Sequence, residues 1–358
     1  MMKVYNFSAG PSMLYDEVKA EAQKDFFDYA GSGMSVTEMS HRSKPYEAIN
    51  AEANALFREL MHIDDTYEVL FVQGGASQQF EAIPLNLLKA QGSKADYLVT
   101  GNFASKAASE AKKYADVYVA ASSKDKNYTY IPKTYTFRDD ADYAHFTYNN
   151  TIFGTRFNAV PQANIPLVTD ISSNILSEEI DVNKFTLLYA GAQKNIGPSG
   201  LTVVIVKKDA IGKHLPICPT MLSYQIQADN QSLYNTPPCF AVYMAMLTLR
   251  HVKKLGGVKA VEAHNIAKAG LLYDFIDNSA LYTNKVAKED RSRMNVPFVT
   301  GNEELDDKFV KEAAKAGLVS IKGHRLAGGM RASIYNAMPV EGIKTLIEFM
   351  KKFEIENK

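Results

Sequence analysis

Seven short runs rich in β-branched and other apolar residues recur along the chain, at 68–72, 95–99, 117–120, 144–147, 166–169, 187–190 and 201–206. Longer segments of helical period lie between many of them. Parallel strands need a crossover connection, and a helix is the usual one, so this alternation predicts a mostly parallel sheet covered by helices. The predicted fold class is α/β. In such sheets ligands bind beyond the carboxyl ends of the strands, which makes the residues at and just after each run the place to look for chemistry.

The pattern changes after a helical segment at 241–254, where Leu255, Gly256 and Gly257 give a stop signal. Beyond it the order reads strand 295–300, helix 307–316, strand 318–322, strand 330–334 and helix 340–353, which suits a small α+β unit. The expected organisation is a large domain over 16–257 and a small domain over 258–358, joined by the N-terminal segment 1–15.

Forty Lys plus Arg balance forty Asp plus Glu. The whole-molecule field therefore gives no reason to expect nucleic acid or an anionic membrane as partner, and anion recognition must be local. Lys3, Asn6 and Ser8 interrupt the first apolar stretch, and the apolar run 201–206 stops at Lys207, too short to span a bilayer. Cys218 and Cys239 show neither metal-ligand spacing nor a disulfide framework. A cytoplasmic protein is expected, with no membrane partner and no bound metal.

Four features carry candidate chemistry. Gly74-Gly75-Ala76-Ser77 follows the run 68–72 and opens a helical segment, so its backbone N–H groups suit a phosphate, although a tight turn without ligand gives the same string. Asp170 ends the run 166–169, placed either to pair with a cation or protonated ring nitrogen in the crevice or to cap the next helix. Lys194 follows the run 187–190 among small and apolar residues, where desolvation lowers an amine's pKa as covalent catalysis requires; the alternative is a snorkelling surface lysine. The basic residues His41, Arg42, His324, Arg325 and Arg331 match carboxylate and phosphate groups, unless they merely form surface ion pairs. Phe103 offers an aromatic face or a core side chain, and Asn235 with Thr236 offers hydrogen bonds or only a proline-stiffened turn.

In combination these residues resemble the class V branch of the fold-type I pyridoxal-phosphate enzymes, and within it the aminotransferases that form phosphoserine. The resemblance runs from Asn6-Phe7-Ser8-Ala9-Gly10-Pro11 to Gly328-Gly329-Met330-Arg331-Ala332-Ser333. Its most specific strings are Tyr189-Ala190-Gly191-Ala192-Gln193-Lys194-Asn195-Ile196-Gly197-Pro198, Arg291-Ser292-Arg293-Met294-Asn295-Val296-Pro297-Phe298 and Gly323-His324-Arg325.

The resemblance implies pyridoxal 5'-phosphate as cofactor, with Lys194 as its covalent anchor and Asp170 on its ring nitrogen. It further implies that Ala76, Ser77 and Gln193 hold the cofactor phosphate together with Asn235 and Thr236 of a neighbouring subunit. Phe103 would stack on the ring and Thr151 would contact it. Arg331 would take a substrate's α-carboxylate, and His324 and Arg325, with His41 and Arg42 from the other subunit, its distal anion. The implied partners are L-glutamate, 3-phosphohydroxypyruvate and a second copy of the chain, in serine and pyridoxine biosynthesis. Ser77 stands where many bacterial members have arginine. A cysteine desulfurase would need a mobile nucleophilic cysteine, whereas Cys218 and Cys239 stand in packing contexts; a nucleotide-binding protein would need a phosphate-loop pattern that is absent.

Overall fold

The computed structural model describes residues 3–357; Met1 and Met2 of the N-terminal segment and Lys358 of the second region lie outside the described residues. The seven apolar runs become β1 (Tyr67–Val72), β2 (Lys94–Val99), β3 (Asp116–Ser122), β4 (Tyr143–Thr147), β5 (Leu167–Asp170), β6 (Leu187–Gly191) and β7 (Thr202–Lys207). They form one sheet in the order β1-β7-β6-β5-β4-β2-β3. Strand β7 is antiparallel to both neighbours, and the strands from β6 to β3 run parallel. Asp170 is the last residue of β5, in register with Thr147 and Tyr189, and not the first residue after it.

The helices are α1 (Asp16–Asp25), α2 (Lys44–Met61), α3 (Gly75–Leu87), α4 (Asn102–Ala111), α5 (Tyr224–Asp229), α6 (Cys239–Lys254), α7 (Gly257–Asn278), α8 (Glu303–Lys315) and α9 (Val340–Glu356). The two-residue period of the strands sorts their side chains between two cores. Tyr97, Tyr143, Val168, Leu187, Tyr189 and Val204 pack against Phe80 and Ile83 of α3 and Ala107 and Ala111 of α4. Phe146, Leu188, Ala190, Val203 and Ile205 pack on the opposite face against Phe57 of α2 and Met246 of α6. Asp170, two residues beyond Val168, shares the face covered by α3 and α4, both of which start where parallel strands end.

A third core joins Tyr5 and Phe7 to Leu272, Ile276, Phe309 and Phe353, with Val296 and Phe298 of β8 (Asn295–Phe298) and Met330 and Ala332 of β9 (Met330–Ser333). Strands β8 and β9 pair antiparallel, and Tyr5–Asn6 pairs parallel with Leu318–Val319. The strand expected at 318–322 is this short because Ser320 takes φ 60°. Helix α8 starts earlier than its apolar period suggests because the Asn302 side chain accepts from the Glu304 and Leu305 N–H groups. The stop signal at 255–257 proves to be a junction: Gly256, at φ 100°, ends α6 and leads directly into α7. Val258 and Val261 of α7 belong to the core shared with α2 and α6, and Leu272 and Ile276 to the third core. Among the described residues no helix is long and apolar enough to cross a membrane, and no His, Cys, Asp or Glu cluster could hold a metal ion.

Candidate active site

The carboxyl ends of β4, β5 and β6 converge on one pocket. Asp170 is buried at the end of β5, where its Oδ1 accepts from the Ser172 N–H at 2.8 Å. Burial pushes its carboxyl above the usual carboxylate range, and the Lys194 charge and the Ser172 hydrogen bonds oppose that rise. Lys194, in the turn after β6, is only half-buried by accessible surface, yet its amine is closely enclosed by the fold. Nζ donates to Thr151 Oγ1 at 2.7 Å and lies 5.6 Å from the centre of the Phe103 ring. Desolvation lowers this amine to about 8, with Arg331 reinforcing the drop and Asp170 opposing it. No ion pair joins Lys194 to Asp170, so the two opposite charges face one pocket without closing on each other.

The backbone around Lys194 is fixed from the N-terminal segment. Ser12 donates its N–H to the Gln193 carbonyl at 3.0 Å and its hydroxyl to the Lys194 carbonyl. Thr151, buried in the loop after β4, receives the Lys194 amine on its side chain, while its carbonyl lies 3.5 Å from Arg331 Nη1. Gly101, just before α4, brings this loop close: a Cβ there would stand 2.2 Å from Asn150 Oδ1. That approach sets the first turn of α4, with Phe103, beside Thr151.

Among the described residues, Arg331, on β9, is buried with no carboxylate partner and no hydrogen-bond acceptor for its Nε. A guanidinium left this way is a receptor for an anion from outside the chain. His324 lies close enough to Arg331, Arg325 and Lys106 for all three to repel a proton from it, adding to the effect of burial. Lys106 was not singled out from the sequence. Its signal was there, because it follows Phe103 by three positions and so shares that face of α4. Its Nζ lies 5.8 Å from the centre of the Phe103 ring.

The turn into α3 supplies the remaining local element. Gly74, at φ 88°, turns the chain into the helix, and no side chain caps the N–H groups of the first turn, which contains half-buried Ala76 and exposed Ser77. Gln193 is half-buried with its side chain against Gly10 and Gly191.

Four predicted residues stay apart from this group. Arg42, Asn235 and Thr236 are exposed and His41 is half-buried, and no hydrogen bond or ion pair within the chain joins them to Lys194, Asp170 or Arg331. The His41 Nε2 atom is buried without a partner. Thr236 offers its carbonyl to Gln73 Nε2 at 2.7 Å. Thr37, Glu38 and Met39 line a surface depression together with Pro198, Ser199, Thr236 and Pro237, so the segments carrying these residues adjoin the turn that follows Lys194.

A cavity of about 530 Å³ elsewhere in the molecule, lined by Tyr15, His251, His264 and Glu341, contains none of these residues. Charge and convergence, not volume, distinguish the Lys194 pocket. Burial pushes the Cys218 thiol up to about 11 and raises Cys239 as well, the reverse of what a nucleophilic cysteine needs.

The class V aminotransferase family model matches residues 4–346. A phosphoserine aminotransferase of Bacillus cereus is 53% identical over 361 aligned positions, covering all of both chains. The phosphoserine aminotransferase structure from Bacillus circulans subsp. alkalophilus is 47% identical, with a TM-score of 0.97 over 99% of each chain. A pyridoxal-phosphate-bound phosphoserine aminotransferase structure from Trichomonas vaginalis is 37% identical, with a TM-score of 0.93 over 98% of this chain and 100% of that one. A desolvated lysine, a buried acid at a strand end and an unpaired buried arginine thus occur in a chain that belongs to the class V aminotransferases and, within them, to the phosphoserine aminotransferases.

Proposed function

We propose that this chain moves the amino group of L-glutamate to 3-phosphohydroxypyruvate, giving 2-oxoglutarate and O-phospho-L-serine, with pyridoxal 5'-phosphate held at Lys194. The observation that carries the reading is the Lys194 amine, desolvated and held by Thr151 opposite Asp170, with Arg331 buried nearby and lacking a carboxylate. The pocket fits the cofactor in three respects. Lys194 has the depressed pKa of a nucleophilic amine, Asp170 offers a buried carboxylate for a ring nitrogen, and the uncapped first turn of α3 offers N–H groups to a phosphate.

When bound, pyridoxal phosphate supplies a conjugated ring that takes up the electron pair left at a substrate's α-carbon. Asp170 would hold the ring nitrogen protonated and so keep that capacity high. Lys194 Nζ takes the proton from the glutamate α-carbon, and later delivers one to the corresponding carbon of the acceptor. Thr151 Oγ1 aims the amine. Phe103 would lie beside the ring, and Ala76, Ser77 and Gln193 would hold the phosphate, aided by the partner subunit's Asn235 and the partner subunit's Thr236.

Arg331 binds the α-carboxylate common to donor and acceptor. His324 and Arg325, with the partner subunit's His41 and the partner subunit's Arg42, form the pocket for the distal anion, which is a carboxylate on one substrate and a phosphate on the other. The working unit in this reading is a cytoplasmic homodimer, and the same pocket would accept the longer phosphooxy keto acid that leads to 4-phosphohydroxy-L-threonine in pyridoxine biosynthesis. Incubating the purified, cofactor-loaded protein with glutamate and 3-phosphohydroxypyruvate should yield equimolar phosphoserine and 2-oxoglutarate by NMR. Absence of phosphoserine would overturn the reading.

A further inference from the structure

Among the described residues Lys268, on α7, is the one buried lysine. No carboxylate pairs with it. Its Nζ donates instead to two backbone carbonyls, Tyr335 O at 2.8 Å and Met338 O at 3.1 Å. Burial lowers the amine to about 7. Enclosing an amine without an acid partner costs stability, and an apolar side chain of similar volume would fill the space without that cost. The arrangement calls for a compensating role.

The turn that Lys268 grips lies between the two halves of the proposed site. Strand β9 carries Arg331 and runs through Ile334, whose N–H donates to Met294 O, into Tyr335. The Tyr335 hydroxyl donates to Ala9 O at 2.8 Å. Asn336 then reaches the other half: its N–H donates to Asn195 Oδ1 at 3.0 Å, and Asn195 directly follows Lys194. Asn195 Nδ2 in turn donates to Ile175 O at 3.1 Å, in the segment that follows Asp170. Asn265, three residues before Lys268 on the same face of α7, donates to Asn336 Oδ1 at 2.8 Å. One helix therefore holds this turn with two side chains, and the turn ties the Arg331 strand to the Lys194 loop.

We propose that Lys268 is a positioning residue for transamination: by pinning the Tyr335 and Met338 carbonyls it sets the spacing between Arg331 and Lys194. That spacing matters because one residue holds the substrate carboxylate while the other must reach the carbon next to it. A misplacement of about 1 Å at such a centre can cost roughly a hundredfold in rate. The inference rests on the assignment of Lys194 and Arg331 given above.

The test is steady-state kinetics of the cofactor-loaded Lys268→Met enzyme, assayed well below its melting temperature beside the wild type. Loss of the two hydrogen bonds should lower kcat roughly tenfold or more and raise KM for glutamate and keto acid together, because both present the same carboxylate to Arg331. If Lys268 is purely structural, Lys268→Met should shift only the melting temperature, in either direction, and leave kcat and both KM values within about twofold of wild type, and that result overturns the inference. Asn195→Leu removes the acceptor through which the turn reaches the Lys194 loop, and should reproduce the fall in kcat. The double variant should be little worse than the poorer single one, since both cut one path; independent, multiplying losses would refute it. If Lys268→Met does not fold, unchanged kinetics in Asn195→Leu alone suffice to reject the path. Should the wild type itself form no phosphoserine, the functional assignment fails and not merely the role of Lys268.

Discussion

Thr151 Oγ1 receives the Lys194 amine at 2.7 Å, and this one hydrogen bond joins the loop after β4 to the loop after β6. Lys194 also faces Asp170 and Arg331, which pull its proton affinity in opposite directions, and burial makes the net shift downward, to about 8. Lys194→Ala is therefore expected to abolish turnover in a protein that still folds and still takes up cofactor. Borohydride reduction of the loaded wild type, followed by peptide mass analysis, should find the pyridoxyl group on Lys194 alone. A label on any other lysine would end the assignment.

The same amine predicts a pH dependence of stability in the cofactor-free protein. Its folded pKa of about 8 lies below the ordinary lysine value of 10.5. Above the folded value the native state has released a proton that the unfolded chain still holds, so this group makes stability rise with pH across the window between the two values. Below about 8 both states are protonated and the burial penalty is constant. Lys194→Met removes the penalty. The melting-temperature advantage of that variant should be largest below the folded pKa and shrink as pH approaches the unfolded value; an advantage that grows with pH would contradict the burial argument.

Asp170→Asn should reduce turnover by roughly a hundredfold or more while changing the melting temperature little, since an amide fills the same space but cannot keep a ring nitrogen protonated. The informative readout is exchange of the glutamate α-proton with solvent, which isolates the step Asp170 supports. Equal exchange rates in wild type and variant would remove Asp170 from that role.

The seven strands were legible because they are short apolar runs, most of them closed by a polar or glycine-rich turn, and Asp170 and Lys194 were legible because they stand at or just after the ends of such runs. Helix α7 was not. It begins one residue after Gly256, which reads as an end and serves as a junction, and its buried residues divide between two cores, so no single stripe marks it. Lys268 and Lys106 escaped for a related reason. Whether a lysine is buried against carbonyls, as Lys268 is, or joins a cationic cluster, as Lys106 does, depends on contacts made across more than sixty intervening residues in one case and on the loop after Lys322 in the other.

Lys106 adds a positive charge beside His324, on the side of the pocket where a distal anion would lie. Replacing it by alanine should raise KM for the phosphorylated acceptor by up to about fivefold, the effect of an exposed charge contributing at most about 1 kcal/mol. Glutamate, with a single distal charge, should lose less. An equal change for both substrates would mean that Lys106 does not discriminate phosphate.

Ser77 is exposed on the first turn of α3, where the helix dipole already favours an anion. Ser77→Arg should tighten the cofactor, by about tenfold if the guanidinium reaches its phosphate, because a charge-assisted hydrogen bond contributes about 1.5 to 3 kcal/mol. Unchanged or weaker cofactor binding would show that this chain satisfies the phosphate without that position.

His41, Arg42, Asn235 and Thr236 make no hydrogen bond or ion pair with Lys194, Asp170 or Arg331 of their own chain, yet their segments adjoin the turn after Lys194 at the surface. A two-fold dimer would let each chain complete its partner's site. Mixing inactive Lys194→Ala chains with inactive Arg42→Ala chains, after dissociation and reassociation, tests this directly. In a mixed dimer one site inherits both lesions, and the other combines the intact Lys194 of one chain with the intact Arg42 of its partner. Random pairing makes about half of all dimers mixed, each with one good site of two, so activity should return to roughly a quarter of wild type. If Arg42 serves its own chain, every site in the mixture carries one lesion and nothing returns. An Arg42→Ala homodimer that is active before mixing would instead show that Arg42 holds no substrate. Recovery near a quarter, with subunit exchange confirmed by native mass spectrometry, requires that Arg42 act across the interface.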